Sequence, residues 1–354
     1  MIKQNEMAIQ YYQSNQPFQL ESGVVLPALT LAYHTYGSLN DNGNNVIWIC
    51  HALTANSDVQ NWWPGLIGDG LLFDTQKYLV VCANILGSCY GSSGPLTKNT
   101  DSDSVYYNDF PLVTIRDIVK GHQLLKKHLK INQIKVLIGA SLGGQQALEW
   151  AIDDPDAVDK LVLIATNAQH SPWGIAFNEA QRMALKADVT FGLANQFAGY
   201  EGLKAARAIA MLSYRSYVSY QLTQTNTDSD ESPKAATYQQ YQGEKLAKRF
   251  NAYSYWILSK AMDSHNVARR RAAVEDVLSK IQNSPTIIGI SSDQLFPISE
   301  QVFLHQQIPN SALHIINSNF GHDGFLVETD QISEILQPII NFNNQIKWKK
   351  TPSI

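Results

Sequence analysis

The stretch Val136-Leu137-Ile138-Gly139-Ala140-Ser141-Leu142-Gly143-Gly144 decides the fold. It opens on a short apolar run, residues 135–138, that reads as a buried strand, and it runs on into residues 145–152, which have helical apolar spacing. Between the two, Ser141 stands in the pattern G-x-S-x-G. A chain turning sharply from strand to helix brings backbone segments close together, and Gly139 and Gly143 supply the room. Such a turn pushes the serine hydroxyl out of the backbone at a helix N-terminus, where free amides and the helix dipole favour developing negative charge. Small residues would also serve a helix packed tightly on a strand. The strand before Ser141 and the helix after it make a nucleophile the stronger reading.

Outward from this point the chain keeps one rhythm. Leu29–Tyr36 reads as a strand entering the body of the fold, and Val46–Cys50 as a buried strand that stops at His51-Ala52-Leu53-Thr54. Residues 78–83 form another, ending in the Gly/Ser-rich loop 87–95, and residues 114–129 carry helical spacing. Residues 161–165, Thr286–Ile290 and 313–316 are further short apolar strands. Short apolar strands bounded by helices predict a mostly parallel central sheet covered on both faces. The rhythm breaks between about 171 and 284. There residues 178–187, 202–214 and 244–262 read as helices, and the polar stretch 223–234 as an exposed loop. The expected organisation is an α/β core, 1–170 and 285–354, with a helical lid inserted at 171–284.

A serine hydroxyl is a weak nucleophile at neutral pH and needs a base. In folds with this strand–turn–helix nucleophile the partners follow in the order Ser, acid, His. Asp293 lies in Ser291-Ser292-Asp293-Gln294-Leu295-Phe296-Pro297, just after Thr286–Ile290, and His322 lies in Asn319-Phe320-Gly321-His322-Asp323-Gly324, just after residues 313–316. Among nine histidines, His122 and His128 read as solvated residues on the helix 114–129, and His34, His265 and His305 stand near no motif. His314 falls inside a strand. His170 follows a strand end and is placed to line the pocket, but it precedes Asp293. His322 is thus the expected base, with Asp293 fixing its tautomer. An oxyanion hole needs two backbone donors. The amide of Leu142 is one; Leu53, after the strand Val46–Cys50, is the choice for the other, with a plain strand-to-helix turn as its alternative. These features together describe the α/β-hydrolase fold.

Bulk properties narrow the partners. The chain has 354 residues, 44% of them hydrophobic, which suits a packed core rather than disorder. A net charge of -4 leaves no basic footprint for nucleic acid or an anionic membrane. Residues 1–18 carry Gln and Asn where a signal peptide would be apolar, and no apolar run approaches the roughly 20 residues of a membrane span. A soluble, cytoplasmic protein is expected. Cys50, Cys82 and Cys89 are odd in number and show no CxxC pairing, so neither a disulfide framework nor a zinc site is expected. Metal-ligand spacing and a G-x-x-x-x-G-K phosphate loop are both absent from the sequence.

The chain resembles the homoserine O-acyltransferases, an α/β-hydrolase-fold family of methionine biosynthesis, over nearly its whole length after about residue 29. The resemblance is carried by Leu31-Ala32-Tyr33-His34-Thr35-Tyr36-Gly37, His51-Ala52-Leu53-Thr54, Asn84-Ile85-Leu86-Gly87, Thr114-Ile115-Arg116-Asp117 and Gln146-Ala147-Leu148-Glu149-Trp150, and by Tyr241-Gln242-Gly243, Ser291-Ser292-Asp293 and Gly321-His322-Asp323. It implies a ping-pong reaction. Ser141 would take an acyl group from acetyl-CoA, or from succinyl-CoA, and hand it to the hydroxyl of L-homoserine with no bound cofactor. By the same resemblance Arg207 on a lid helix would hold the substrate carboxylate with Tyr214 beside it, Asp323 would meet the substrate amine, and a homodimer would form through the lid helices. A serine-acylating relative and a Ser-dependent esterase or thioesterase are the alternatives, because the triad alone does not choose the second nucleophile.

Overall fold

The computed structural model describes residues 8–226 and 232–341. Residues 1–7 of the polar N-terminal stretch, and 227–231 of the stretch read as a loop, lie outside the described residues. The central sheet is built from β1 (Gln10–Ser14), β2 (Leu29–Tyr36), β3 (Val46–Cys50), β4 (Leu79–Ala83), β5 (Ile134–Ala140), β6 (Val158–Ile164), β7 (Thr286–Ile290) and β8 (Ala312–Ile316). Their spatial order is β1-β2-β4-β3-β5-β6-β7-β8. β1 and β2 run antiparallel to their neighbours, and every pair from β4 to β8 is parallel. The inner strands β3, β4 and β7 are buried at every position, because helices cover both faces. β8 closes the parallel edge and leaves His314 and Ile315 exposed.

Helix α1 (Ile115–His128) starts at a capping box in which Thr114 and Asp117 satisfy each other's backbone amides. It packs beside α2 (Leu142–Asp153), the helix that follows Ser141. Between them, Trp48 on β3 meets Trp150 edge-on at 5.0 Å, and His122 stacks on Trp150 at 5.8 Å. His122 is therefore buried, against the expectation of a solvated helix residue. It lies on the same stripe as Ile118, Val119 and Leu125, which α1 turns to the core.

Between β6 and β7 the chain leaves the sheet. It forms α3 (Pro172–Ala187), α4 (Tyr200–Tyr214), α5 (Tyr217–Gln224), α6 (Lys234–Ala247) and α7 (Ala252–Asp263). The expected continuous helix 244–262 is thus two. Asn251 adopts an extended backbone, and its side chain accepts the Ser254 amide, so it starts a new helix inside an unbroken apolar pattern. The loop expected at 223–234 is shorter at both ends, since Thr223 and Gln224 belong to α5 and Lys234 opens α6.

The turn from β5 to α2 has no spare volume. A Cβ on Gly139 would stand 2.0 Å from the Gly143 carbonyl oxygen, and one on Gly143 would stand 2.0 Å from the Cys50 carbonyl oxygen on β3. Both contacts are with backbone, which cannot swing aside. Gly143→Ala is expected to cost more than about 3 kcal/mol, the upper end for overpacking. Urea unfolding measures this, and a loss below about 1 kcal/mol would show that α2 can shift away from β3.

Candidate active site

Ser141 sits at φ 57°, ψ -128°, a conformation that side chains rarely adopt and that costs about 1–3 kcal/mol. The surrounding bonds hold it there. Its amide donates to the Ile164 carbonyl on β6 (3.0 Å), and its own carbonyl accepts from the amides of Gly144 (2.9 Å) and Gln145 (3.2 Å) and from Thr166 Oγ1 (2.9 Å). The hydroxyl is consequently carried at the N-terminus of α2, at the C-terminal edge of the parallel strands. Asp293 follows β7, and the loop bearing His322 follows β8, so three separate strands deliver groups to that one edge.

Asp293 Oδ2 lies 2.7 Å from His322 Nδ1. The other oxygen, Oδ1, accepts the amides of Leu295 (2.8 Å) and Phe296 (2.9 Å), which fixes the carboxylate plane. With Nδ1–H donated to Asp293, Nε2 of His322 is left as a proton acceptor. The ring is walled by Phe296 at 5.1 Å, Phe325 at 5.5 Å and Tyr214 at 5.9 Å. Gly321, at φ 64°, lets this loop press on the end of α4: a Cβ there would meet the Ser216 amide nitrogen at 2.8 Å. The Ser216 hydroxyl in turn donates to the Asn319 carbonyl.

The segment after β3 forms a turn in which the Ala55 amide donates to the Ala52 carbonyl (3.0 Å), with Leu53 at its first corner. Among the described residues the amides of Leu53 and Leu142 have no acceptor in the protein. The turn is braced from below. His51 Nδ1 bonds the Ala52 carbonyl (2.8 Å), and its Nε2 accepts the Ile85 amide (3.2 Å). Gln146 Nε2 donates to the carbonyls of both His51 (3.1 Å) and Leu142 (3.2 Å), tying the two amide-bearing segments together. Sequence reading missed His51 and Gln146 as supports, although both lie inside the motifs that carried the resemblance.

Ser141, His322, Leu53, Arg207, Tyr214 and Asp323 all line one cleft of about 320 Å³. Leu142 lies at the start of α2, and Asp293 sits behind His322. The Arg207 guanidinium lies 5.1 Å over the Tyr214 ring, and its buried Nε has no hydrogen-bond partner among the described residues. Asp323 is buried, and its Oδ2 stands 3.0 Å from Nε of Arg215, an arginine between α4 and α5 that the sequence reading did not single out. Burial pushes the Asp323 carboxyl up, against the pull of Arg215 and Arg207. Burial also raises the Tyr214 phenol, so it stays protonated. His170 does not line this cleft. It is buried against Phe296 at 5.7 Å and contacts Gln145 and Asn178, because α3 folds over it.

A family model described as the α/β hydrolase fold matches residues 45–329. A homoserine O-acetyltransferase of Cyclobacterium marinum is 44% identical over 340 residues, covering 96% of this chain and 97% of that one. The chain belongs to the homoserine O-acetyltransferase family. The crystal structure of a homoserine O-acetyltransferase from Staphylococcus aureus superposes with a TM-score of 0.78 at 31% identity, covering 97% of each chain. The crystal structure of esterase E22 superposes with a TM-score of 0.87 at 22% identity, covering 94% of this chain and 100% of that one, a likeness of fold alone. Membership makes the chain an acyltransferase and accounts for the order in which its motifs occur.

Two histidines close to the site are held neutral. Burial lowers His51 and His122 to about 4 each, and His122 Nδ1 has no partner among the described residues. A folded-state value below the unfolded 6.5 means that the unfolded chain binds the proton first as pH falls. The stability these rings contribute is full above about pH 6.5 and is lost as pH falls toward 4. His122→Gln is expected to flatten the dependence of unfolding free energy on pH between 4.5 and 6.5, by up to about 1.4 kcal/mol per pH unit. Urea titrations across that interval check this, and an unchanged slope would mean that His122 titrates normally.

Proposed function

We propose that this protein transfers the acetyl group of acetyl-CoA to the side-chain hydroxyl of L-homoserine, through a covalent ester on Ser141, as a step of methionine biosynthesis. In the first half-reaction His322 Nε2 takes the Ser141 proton as Oγ bonds the thioester carbonyl carbon. The C–S bond then breaks, and His322 returns the proton to the departing thiolate. In the second, His322 takes the proton of the homoserine hydroxyl, the new C–O bond forms, and Ser141 leaves and is reprotonated. Each tetrahedral intermediate places its oxyanion between the amides of Leu53 and Leu142. Asp293 holds the imidazole tautomer and stabilises the imidazolium.

The observation that carries this reading is the cleft itself. Beside Ser141 and His322 it presents Arg207, stacked on Tyr214 with an unpartnered buried Nε, and a buried Asp323. A guanidinium suits a carboxylate, and a carboxylate suits an ammonium, the two charged groups on the α-carbon of one amino acid. An esterase has no use for that pair. In this reading Arg207 takes the substrate carboxylate with Tyr214 alongside, and Asp323, already balanced by Arg215, meets the amine. Residues 171–284 act as the lid that supplies these groups. The exposed lid side chains Leu193, Phe197, Leu212, Tyr217 and Leu222 support a homodimer through the lid helices. Three free thiols suit a reducing, cytoplasmic setting.

Purified protein is expected to release free thiol from acetyl-CoA when homoserine is present, and far more slowly when homoserine is left out or replaced by serine, or when succinyl-CoA replaces acetyl-CoA. Equal release without homoserine would contradict transfer and identify a thioesterase; preference for succinyl-CoA or serine would move the chain to a sister activity. Arg207→Met is expected to raise the KM for homoserine roughly 10- to 100-fold, the worth of one charge-assisted hydrogen bond. An unchanged KM would remove Arg207 from the acceptor site.

A further inference from the structure

Arg249 lies in the short break between α6 and α7, ahead of Phe250, which is buried against Tyr90 at 5.7 Å and Tyr255 at 6.3 Å. Its Nη1 donates to the carbonyl of Thr54 (2.6 Å) and to the hydroxyl of Tyr90 (2.5 Å). Thr54 is the second corner of the turn whose first corner is Leu53. The inner side of that turn is held by His51 and Gln146, both core residues. Arg249 grips its outer side, from the lid, at the mouth of the cleft.

We propose that Arg249 is a positioning residue: by holding the Thr54 carbonyl it sets the direction of the Leu53 amide, and so couples the seating of the helices between β6 and β7 to the oxyanion-binding turn. The inference rests on the acyl-transfer reading above, in which the Leu53 amide receives the oxyanion. Donors for a transient oxyanion must be placed to within about 0.5 Å, so a bond from outside the core that holds the turn bearing one of them bears directly on its aim. A charge-assisted bond to the Thr54 carbonyl is suited to the task, because it fixes the Thr54–Ala55 peptide, whose N–H donates to the carbonyl of the Ala52–Leu53 peptide that carries the Leu53 amide. One oxyanion site serves both half-reactions, so a residue that orients it must affect both.

The experiment measures acylation by rapid-mixing thiol release from acetyl-CoA, and deacylation by single-turnover transfer to homoserine, in wild type, Arg249→Met, Arg249→Lys and Tyr90→Phe. Arg249→Met is expected to slow both steps roughly tenfold at saturating substrate, short of the 10²–10³ lost when an oxyanion donor is deleted. KM for homoserine and the unfolding midpoint should stay at wild-type values. Arg249→Lys, which retains a charged donor, should recover part of both rates, and Tyr90→Phe, which leaves the Thr54 bond in place, should run within twofold of wild type. Rates within twofold in Arg249→Met would overturn the inference. So would a defect confined to the KM for acetyl-CoA, which would make Arg249 a ligand contact, or a Tyr90→Phe defect as large as that of Arg249→Met. If wild type itself shows no thiol burst and no transfer, the acyl-transfer reading fails instead.

Discussion

Gly143 pressed against the Cys50 carbonyl is the contact on which the rest of the site depends. It brings the start of α2 against the end of β3, so the amide after Ser141 and the turn after Cys50 are neighbours by construction. Ser141 is then forced into a positive-φ conformation, and the bonds from Ile164 and Thr166 to its backbone keep it there. Strain of this kind persists only where the surroundings over-determine it. Here they do so through the bonds to Ile164, Gly144, Gln145 and Thr166, with α2 packed on the sheet through Trp48 and Trp150. His322 is fixed independently, by Asp293, three aromatic walls and the close approach of Gly321 to the end of α4.

Much of this was legible in the sequence because the signals were local. The strand–turn–helix around Ser141 and the buried runs Val46–Cys50 and Thr286–Ile290 follow from apolar spacing and small residues within a few positions. The family and the mostly parallel fold were legible from motifs in order. What was not legible depended on tertiary context. His122 reads as a polar residue on a helix, and only the placement of Trp48 and Trp150 turns its ring inward. The break at Asn251 is hidden because Phe250 and Tyr253 continue the apolar pattern, while a cap bond needs the backbone geometry to be seen. The pairing of Arg215 with Asp323 joins residues more than a hundred positions apart, which no spacing rule reaches.

Several motifs that carried the resemblance have work away from the cleft. Glu149 is buried between Arg116 (2.5 Å) and Arg271 (2.7 Å), and Arg116 also reaches Glu21. That network ties α1, α2 and the chain before β7 into one body. Such a network is a requirement of the fold as much as a source of stability, since removing one member leaves a charge buried without a partner. Gln146 and Trp150, on successive turns of α2, divide the helix between bracing the segments that carry the Leu53 and Leu142 amides and packing the core. The helix that follows Ser141 thus joins the cleft to the sheet.

The central claim is that Ser141 carries the acyl group between donor and acceptor. The measurement that bears on it most directly is peptide mass analysis after the protein is mixed with acetyl-CoA alone and quenched within one turnover. The account predicts an acetyl adduct on the peptide containing Ser141. That adduct should disappear on a chase with homoserine, with O-acetylhomoserine formed in equal amount, and should not form in Ser141→Ala. An unmodified Ser141 peptide in wild type, or an adduct of equal yield in Ser141→Ala, would contradict it.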